Sequence, residues 1–401
     1  MVDDKARRRG AIDGIATGDE TVDNDATLPE AMDGRFPFDV GTTELAGDPS
    51  AMEPVEFVAE SEVTDDFEAT GSLYQVDVNQ RYVCLVCGQF GHEITPACGH
   101  DSVHNFPVLT PERLRVGREK GCVLDGRYLI RERLSQSRQA IVVDAAQVHL
   151  GRNVVVKFVA PGHVPTGAAA QRLKREAAQT AGLRHDRIVQ VFDFGVDHGQ
   201  LPYLAMEKLD GLSLQDVLRR QSRLPEHQVI MLGVQVCDAL SYIHAEGIIH
   251  RDMKPSNIWC LKSSKTEVDI KLLDFGLCKA LSKENPSRAI TGPGRIVGTP
   301  NYMAPEQCRG ENLDERADIY SLGCVLWEAL TGQRMVRGRT PLDSLMMHIN
   351  EPASPPSKLG VSVSATLEQA IMKALNKAPS DRWASADDMK SALAACSYLS
   401  R

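Results

Sequence analysis

From Leu124 to Leu209 the apolar residues of this sequence come in short, β-branched runs; from Ser213 onward they recur at helical spacing. "RYLIRERL", "AIVVDAAQ" and "NVVVKFVA" read as strands. "QRLKREAAQTAGLR" has the composition and period of one helix, and "RIVQVFDFGVD" and "LPYLAMEKL" return to strand. After Ser213 come "SLQDVLRRQS", "EHQVIMLGVQVCDALSYIHAEG", "DERADIYSLGCVLWEALTG" and "ATLEQAIMKALNKA", all helical in pattern. Such a chain predicts a strand-rich part with one main helix and then a helix-rich part, an α+β architecture with room for a cleft between two lobes.

Composition narrows the partners. Charged residues are 25% and apolar residues 42% of 401, as in a soluble globular protein, and the net charge of -9 favours neither nucleic acid nor an anionic membrane. The acid is concentrated at the front: residues 1–70 hold 19 Asp and Glu against 5 Lys and Arg. Residues 1–78 are therefore expected to be a largely disordered acidic tail, either a solubilising leader or a docking segment for a protein partner. No stretch approaches 18 consecutive apolar residues, and "MVDDKARRRG" lacks the apolar run of a signal peptide. Most of the ten cysteines stand singly, as free thiols of a reducing compartment do, so a cytoplasmic location is expected.

Three pieces carry chemistry. Residues 249–257 read "IHRDMKPSN", 271–280 read "KLLDFGLCKA" and 298–307 read "GTPNYMAPEQ". HRD, DFG and APE, in this order and at workable spacing, form a specific signal where any one alone is weak. From about Tyr128 to Cys396 the chain resembles the protein kinase family, specifically the bacterial Ser/Thr kinases related to the eukaryotic ones. The resemblance implies a bilobal kinase fold, with a small lobe and hinge over 127–209 and a large lobe over 210–398. It also implies transfer of the γ-phosphoryl group of ATP to Ser or Thr hydroxyls of protein substrates, with Mg²⁺.

Roles follow from the resemblance. Asp252 would accept the proton of the substrate hydroxyl, and Lys254 would reach the transferred phosphoryl group. Asn257 and Asp274 would hold Mg²⁺, Lys157 would pair with the α/β-phosphates, and Glu176, nineteen residues later, would orient Lys157. Ala205 to Leu209, "AMEKL", looks like the hinge, with Met206, Glu207 and Leu209 around adenine, although a Met there is also ordinary core filling. Glu306 would pair with Arg382, Asp318 would hold the catalytic loop from below, and His250 and Phe275 would join a column linking the lobes. Between Asp274 and Glu306 lie Ser282, Ser287, Thr291 and Thr299. Thr291 is the favoured phosphosite, with Arg251 placed to grip a loop phosphate.

One segment departs from the family pattern. Where G-x-G-x-x-G-x-V is expected the chain has Ser135, Ser137, Ala140 and Val142, so all three glycines are missing. Glycine there lets backbone amides approach phosphate without an intervening Cβ. Ser135 and Ser137 could offer hydroxyls instead, and Arg138 a charge. Val155 stands where a small Ala is usual and Trp259 where Leu is usual; both would line the adenine slot. A catalytically silent binding or scaffold protein of the same fold is the alternative function.

Residues 82–104, "YVCLVCGQFGHEITPACGHDSVH", hold the only cysteine cluster. Cys84 and Cys87 form a CxxC knuckle followed by Gly, Cys98 comes eleven residues later, and His100, or else His92 or His104, is within reach as a fourth ligand of a tetrahedral zinc. Residues 79–106 resemble the short zinc ribbons ahead of some bacterial kinase domains, whose second knuckle is usually paired. Residues 107–126 read as a linker.

Overall fold

A computed structural model describes residues 82–84, 90–91, 105–117, 119–137, 140–160, 180–197, 201–262, 268–274 and 300–399, all within the compact unit Pro37–Arg401. The acidic tail, Cys87, Cys98, His100, Glu176, Phe275 and Ser282 to Thr299 lie outside the described residues.

Three short strands come first: β1 (Tyr82–Cys84), β2 (Phe90–Gly91) and β3 (Asn105–Pro107), antiparallel in the order β2-β1-β3. Helix α1 (Pro111–Arg115) follows, capped by the Thr110 hydroxyl and opened by proline. A six-stranded antiparallel sheet then forms from β4 (Val123–Leu124), β5 (Tyr128–Gln136), β6 (Ala140–Gln147), β7 (Arg152–Val159), β8 (Val191–Asp197) and β9 (Leu201–Glu207). Its order is β4-β5-β6-β7-β9-β8. The alternation legible in the sequence sorts its side chains onto two faces. Val143, Val154, Val156, Phe158, Tyr203 and Ala205 bury one face. Val142, Val155, Lys157, Leu204 and Met206, cross-strand neighbours in register, share the other face, toward the cleft.

Residues 107–126, expected as a linker, are part of the small lobe. Leu109, Leu114, Cys122 and Leu124 are fully buried against the outer face of the sheet, and each of the three leucines contributes about 1.5–3 kcal/mol of burial. Val83 of β1 packs with Val108 and Val123 beside Leu129 of β5, so the cysteine-bearing strand is continuous with the same lobe.

The large lobe contains β10 (Gly211–Ser213), α2 (Leu214–Gln221), α3 (Glu226–Ala245), β11 (Ile258–Leu261), β12 (Ile270–Leu272), α4 (Pro305–Arg309), α5 (Arg316–Thr331), α6 (Pro341–Asn350), α7 (Ala365–Ala374) and α8 (Ala386–Leu399). Strands β10, β11 and β12 form a small antiparallel sheet. Helix α5 is buried on nearly every side, which is why its sequence is apolar all round rather than striped. One core runs from α3, α5 and α8 up to Val159, Val191, Leu204 and Met206, joining the lobes behind the cleft.

Candidate active site

The loop before β11 is held from beneath by one buried carboxylate. Asp318, at the start of α5, accepts the backbone N–H of His250 on Oδ2 and that of Arg251 on Oδ1, both at 2.8 Å, and His244 Nε2 lies 2.9 Å from Oδ2. Burial would push the Asp318 carboxyl up, but the hydrogen bond and charge of His244, together with His250, hold it below the usual range. This support matters because Arg251 has φ 63°, a left-handed conformation that costs a non-glycine residue about 1–2 kcal/mol. Gln307, just after Glu306, fixes the same residue from the other side by donating to the Arg251 carbonyl at 3.0 Å.

His250 is fully buried and reads as neutral. Nε2 lies 3.0 Å from the Leu273 carbonyl, which only a donor satisfies, and Nδ1 accepts the Asp252 N–H at 3.3 Å. Burial keeps its pKa below the ordinary histidine value against the pull of Asp318 and Asp252. One imidazole thus ties the residue before Asp274 to Asp252, joining two of the three motifs.

The reacting groups sit above this base. Lys254 Nζ is 2.6 Å from Asp252 Oδ2, and Asn257 Nδ2 donates to the same oxygen at 3.1 Å and to the Asp252 carbonyl at 2.8 Å. Two donors on one oxygen fix the carboxylate, whose side chain stays a quarter exposed to the cleft. Across the cleft, Lys157 on β7 pairs with Asp274 Oδ2 at 2.6 Å. Asp274 has φ 58°, so its backbone turns sharply after β12. The structure therefore brings together Asp252, Lys254 and Asn257, and separately Lys157 and Asp274. The Asn257 amide nitrogen is spent on Asp252, which leaves its carbonyl oxygen, with the Asp274 carboxylate, as hard oxygen donors of the type Mg²⁺ takes.

The nucleotide-side residues divide. Val155 lies in register with Met206, and Val142 with Lys157, all facing the cleft. Met206 is buried in the core behind it. The Glu207 side chain is occupied, accepting from Lys271 Nζ and from the Gln190 backbone N–H, each at 2.6 Å, and Leu209 packs on the edge of the core. Trp259 lies on β11 opposite Ser213, its buried indole Nε1 without a hydrogen-bond partner among the described residues. A Cβ on Gly211 would fall 3.0 Å from that nitrogen and 2.0 Å from the Cys260 carbonyl, so the glycine lets the indole lie under the end of the hinge. Ser135, next to last in β5, lies opposite Val142. Ser137 bonds to Ala140: its Oγ accepts the Ala140 N–H at 3.0 Å, and its own N–H donates to the Ala140 carbonyl at 2.8 Å.

Cys84 belongs to β1, while Cys87, Cys98 and His100 fall outside the described residues. Among the described residues no cluster of three or more His, Cys, Asp or Glu with metal-binding geometry occurs. Of the supporting residues, Gln307, His244 and Gly211 carry no sequence signal beyond position, whereas Asp318 and Arg382 are legible through the motifs.

Comparison with known proteins places this geometry. The model of the protein kinase domain matches residues 128–394. The serine/threonine-protein kinases PknB of Mycobacterium leprae and Mycolicibacterium smegmatis are each 36% identical over 273 residues, 67% of this chain and 43% of theirs. A probable serine/threonine-protein kinase of Streptomyces coelicolor is 33% identical over 276 residues, 68% of this chain and 40% of its own. The chain thus spans less than half the length of these relatives. Among solved structures, the kinase domain of Mycobacterium tuberculosis PknI is similar with TM-score 0.54 and 25% identity, over 69% of this chain and 98% of that one. Rad53 residues 1–466 with AMP-PNP gives 0.55 and 25%, over 66% and 64%. Among the described residues no helix is long and apolar enough to cross a membrane.

Proposed function

The chain belongs to the protein kinase domain family, and from that membership and the site geometry we propose that it is an ATP-dependent protein serine/threonine kinase. The observation that carries this reading is Asp252, held on one oxygen by both Lys254 and Asn257, at motif spacing from the Lys157–Asp274 pair. In this reading the Asp252 carboxylate takes the proton of a substrate Ser or Thr hydroxyl as it attacks. The Lys254 ammonium, already beside Asp252, offsets charge on the phosphoryl group in transit, and Lys157 positions the remaining phosphates. Asn257 and Asp274 would hold Mg²⁺, which supplies charge neutralisation when bound. Glu176 would orient Lys157 from the segment between β7 and β8.

The test is incubation of the chain with Mg²⁺ and γ-labelled ATP. Label should appear on Ser or Thr, slowly, and Asp252→Ala should remove it without changing the thermal midpoint. Label that persists in D252A would end the role given to Asp252.

A second reading has its own observation. The Ala140 amide is spent on Ser137 instead of being open to a phosphate, which favours a nucleotide-poor scaffold. Nucleotide binding without any transfer, or no binding at all, would select it. Further parts of the proposal concern the flanks. One zinc would be held by Cys84, Cys87, Cys98 and His100, and the acidic tail would serve as a solubilising leader or else dock a protein partner. The buried thiols of Cys237, Cys260 and Cys324 suit the cytoplasmic setting expected from the sequence.

A further inference from the structure

Residues 105–124 precede the region matched by the kinase family, which begins at Tyr128. They nonetheless hold the strand that leads into the glycine-free turn. Glu119 is 3% exposed. It grips Arg133 with both oxygens, Nε to Oε1 at 2.5 Å and Nη2 to Oε2 at 2.8 Å. The same guanidinium donates to the Leu114 carbonyl at α1 and to the side chain of Gln136, the last residue of β5. A planar fork with every arm engaged fixes direction as well as position.

The direction is unusual for a strand. Arg133 lies opposite Val143, on the outer face, whereas Ser135 lies opposite Val142, on the cleft face. Residues two apart on a regular strand share a face. The register shift between Arg133 and Ser135 reverses this, and Leu134, 48% exposed, is the extra residue of the bulge. The clamp thus holds the residue just before the bulge, and the bulge sets which way Ser135 faces.

We propose that Glu119, acting through Arg133, is a positioning residue for the nucleotide phosphates, so that the segment ahead of the catalytic domain is part of its phosphate site. The inference rests on the ATP reading above. A loop with glycines settles onto phosphate by its own freedom, whereas one without them keeps the position its root imposes. Here the root is rigid: α1 and its flanks are buried on the sheet through Leu109 and Leu114, and β1 and β4 pack on Leu129 of the same strand.

The experiment uses the full chain with Glu119→Ala, Glu119→Gln, Arg133→Ala, Arg133→Lys and the E119A/R133A pair. Calorimetry measures Mg²⁺–ATP and adenosine, and thermal unfolding is recorded in parallel. E119A and R133A should weaken ATP about three- to tenfold with adenosine unchanged, and the double variant should be no weaker than either single one. E119Q and R133K, which keep the packing, should show the same selective loss in smaller degree if the alanine variants fold poorly. A lower thermal midpoint with an unchanged ratio of ATP to adenosine affinity reduces the pair to a structural tie and overturns the inference. Wild type that binds neither ligand removes the nucleotide reading and this inference with it. Wild type that prefers ATP, beside variants that prefer it equally, overturns the inference alone.

Discussion

The Ser137 hydroxyl accepts the Ala140 amide at 3.0 Å, and at 3.2 Å it also faces the Ala140 carbonyl. The turn over the cleft therefore satisfies itself. Ala140 occupies the third glycine position of the family pattern, where an amide would otherwise be open to a phosphate oxygen.

Removing the competitor should release that amide. Ser137→Ala, which adds no backbone freedom, is expected to tighten Mg²⁺–ATP by about 1 kcal/mol, a few-fold to tenfold, the worth of one hydrogen bond. Adenosine should bind as before, because it has no phosphates. Restoring glycine at 135, 137 and 140 should act in the same direction, with part of the gain offset by the entropy of ordering a freer loop. Calorimetry on wild type and both variants measures this; an equal gain for adenosine would mean that the turn obstructs the adenine slot instead.

The large lobe hangs on a second buried pair. Arg382 Nη1 and Nη2 reach Glu306 Oε1 and Oε2, each at 2.7 Å, and the guanidinium also donates to the carbonyls of Arg316, Asn376 and Lys377. Neither side chain is more than 4% exposed. Arg382→Ala leaves a buried carboxylate without its cation, which should cost about 3–5 kcal/mol. Replacing both by Leu and Met should recover part of that loss, since the remaining penalty is then one of fit rather than charge. Urea unfolding of the two variants decides it: a double variant as unstable as R382A would place the energy in the three carbonyl bonds.

What the sequence disclosed depended on periodicity and on motifs. The lobes followed from the switch of apolar spacing near Ser213, and Asp252, Asn257 and Asp274 from motifs that resemble those of the protein kinase family. Residues 107–126 misread as a linker because Leu109, Leu114, Cys122 and Leu124 stand singly among charged residues and meet the sheet from different short pieces, so no period marks them. The bulge at Leu134 is not legible either: nothing in "RERLSQ" marks an extra residue, and only pairing with β6 reveals the reversal of face. The Ser137–Ala140 bond arises from a turn between two strands, which composition cannot specify.

Metal content is open to direct measurement. Cys84 ends β1, which pairs antiparallel with β2 beyond the knuckle and with β3 on its other side. One zinc per chain is expected after purification without added metal. His100→Ala should loosen it, and His92→Ala and His104→Ala should not. Cys84→Ser should release the ion, because a hydroxyl is a far poorer zinc ligand than a thiolate. Zinc near zero in gently purified wild type would dismiss the ribbon.

Acid should loosen the contact between α6 and residues 300–301. His348 on α6 is fully buried, with Nδ1 2.9 Å from the Tyr320 hydroxyl of α5. Burial and then the charge of Lys377 hold its pKa down to about 4, against the pull of the neighbouring backbone of Asn301 and Pro300. The unfolded chain takes up this proton near the ordinary value of about 6.5, whereas the folded chain resists it. Stability tied to His348 is therefore complete above about pH 6.5 and is lost as pH falls toward about 4, by roughly 3 kcal/mol in all. Asp318 and His250 lose stability on acidification in the same sense, so the contribution must be read as a difference. His348→Asn keeps an acceptor near the Tyr320 hydroxyl but cannot titrate. Urea unfolding at half-unit steps from pH 7.5 to 4.5 should show wild type losing its advantage over H348N below pH 6.5. Parallel curves over that window would mean that the imidazole is protonated as easily in the folded chain as outside it, and that its burial carries no electrostatic cost.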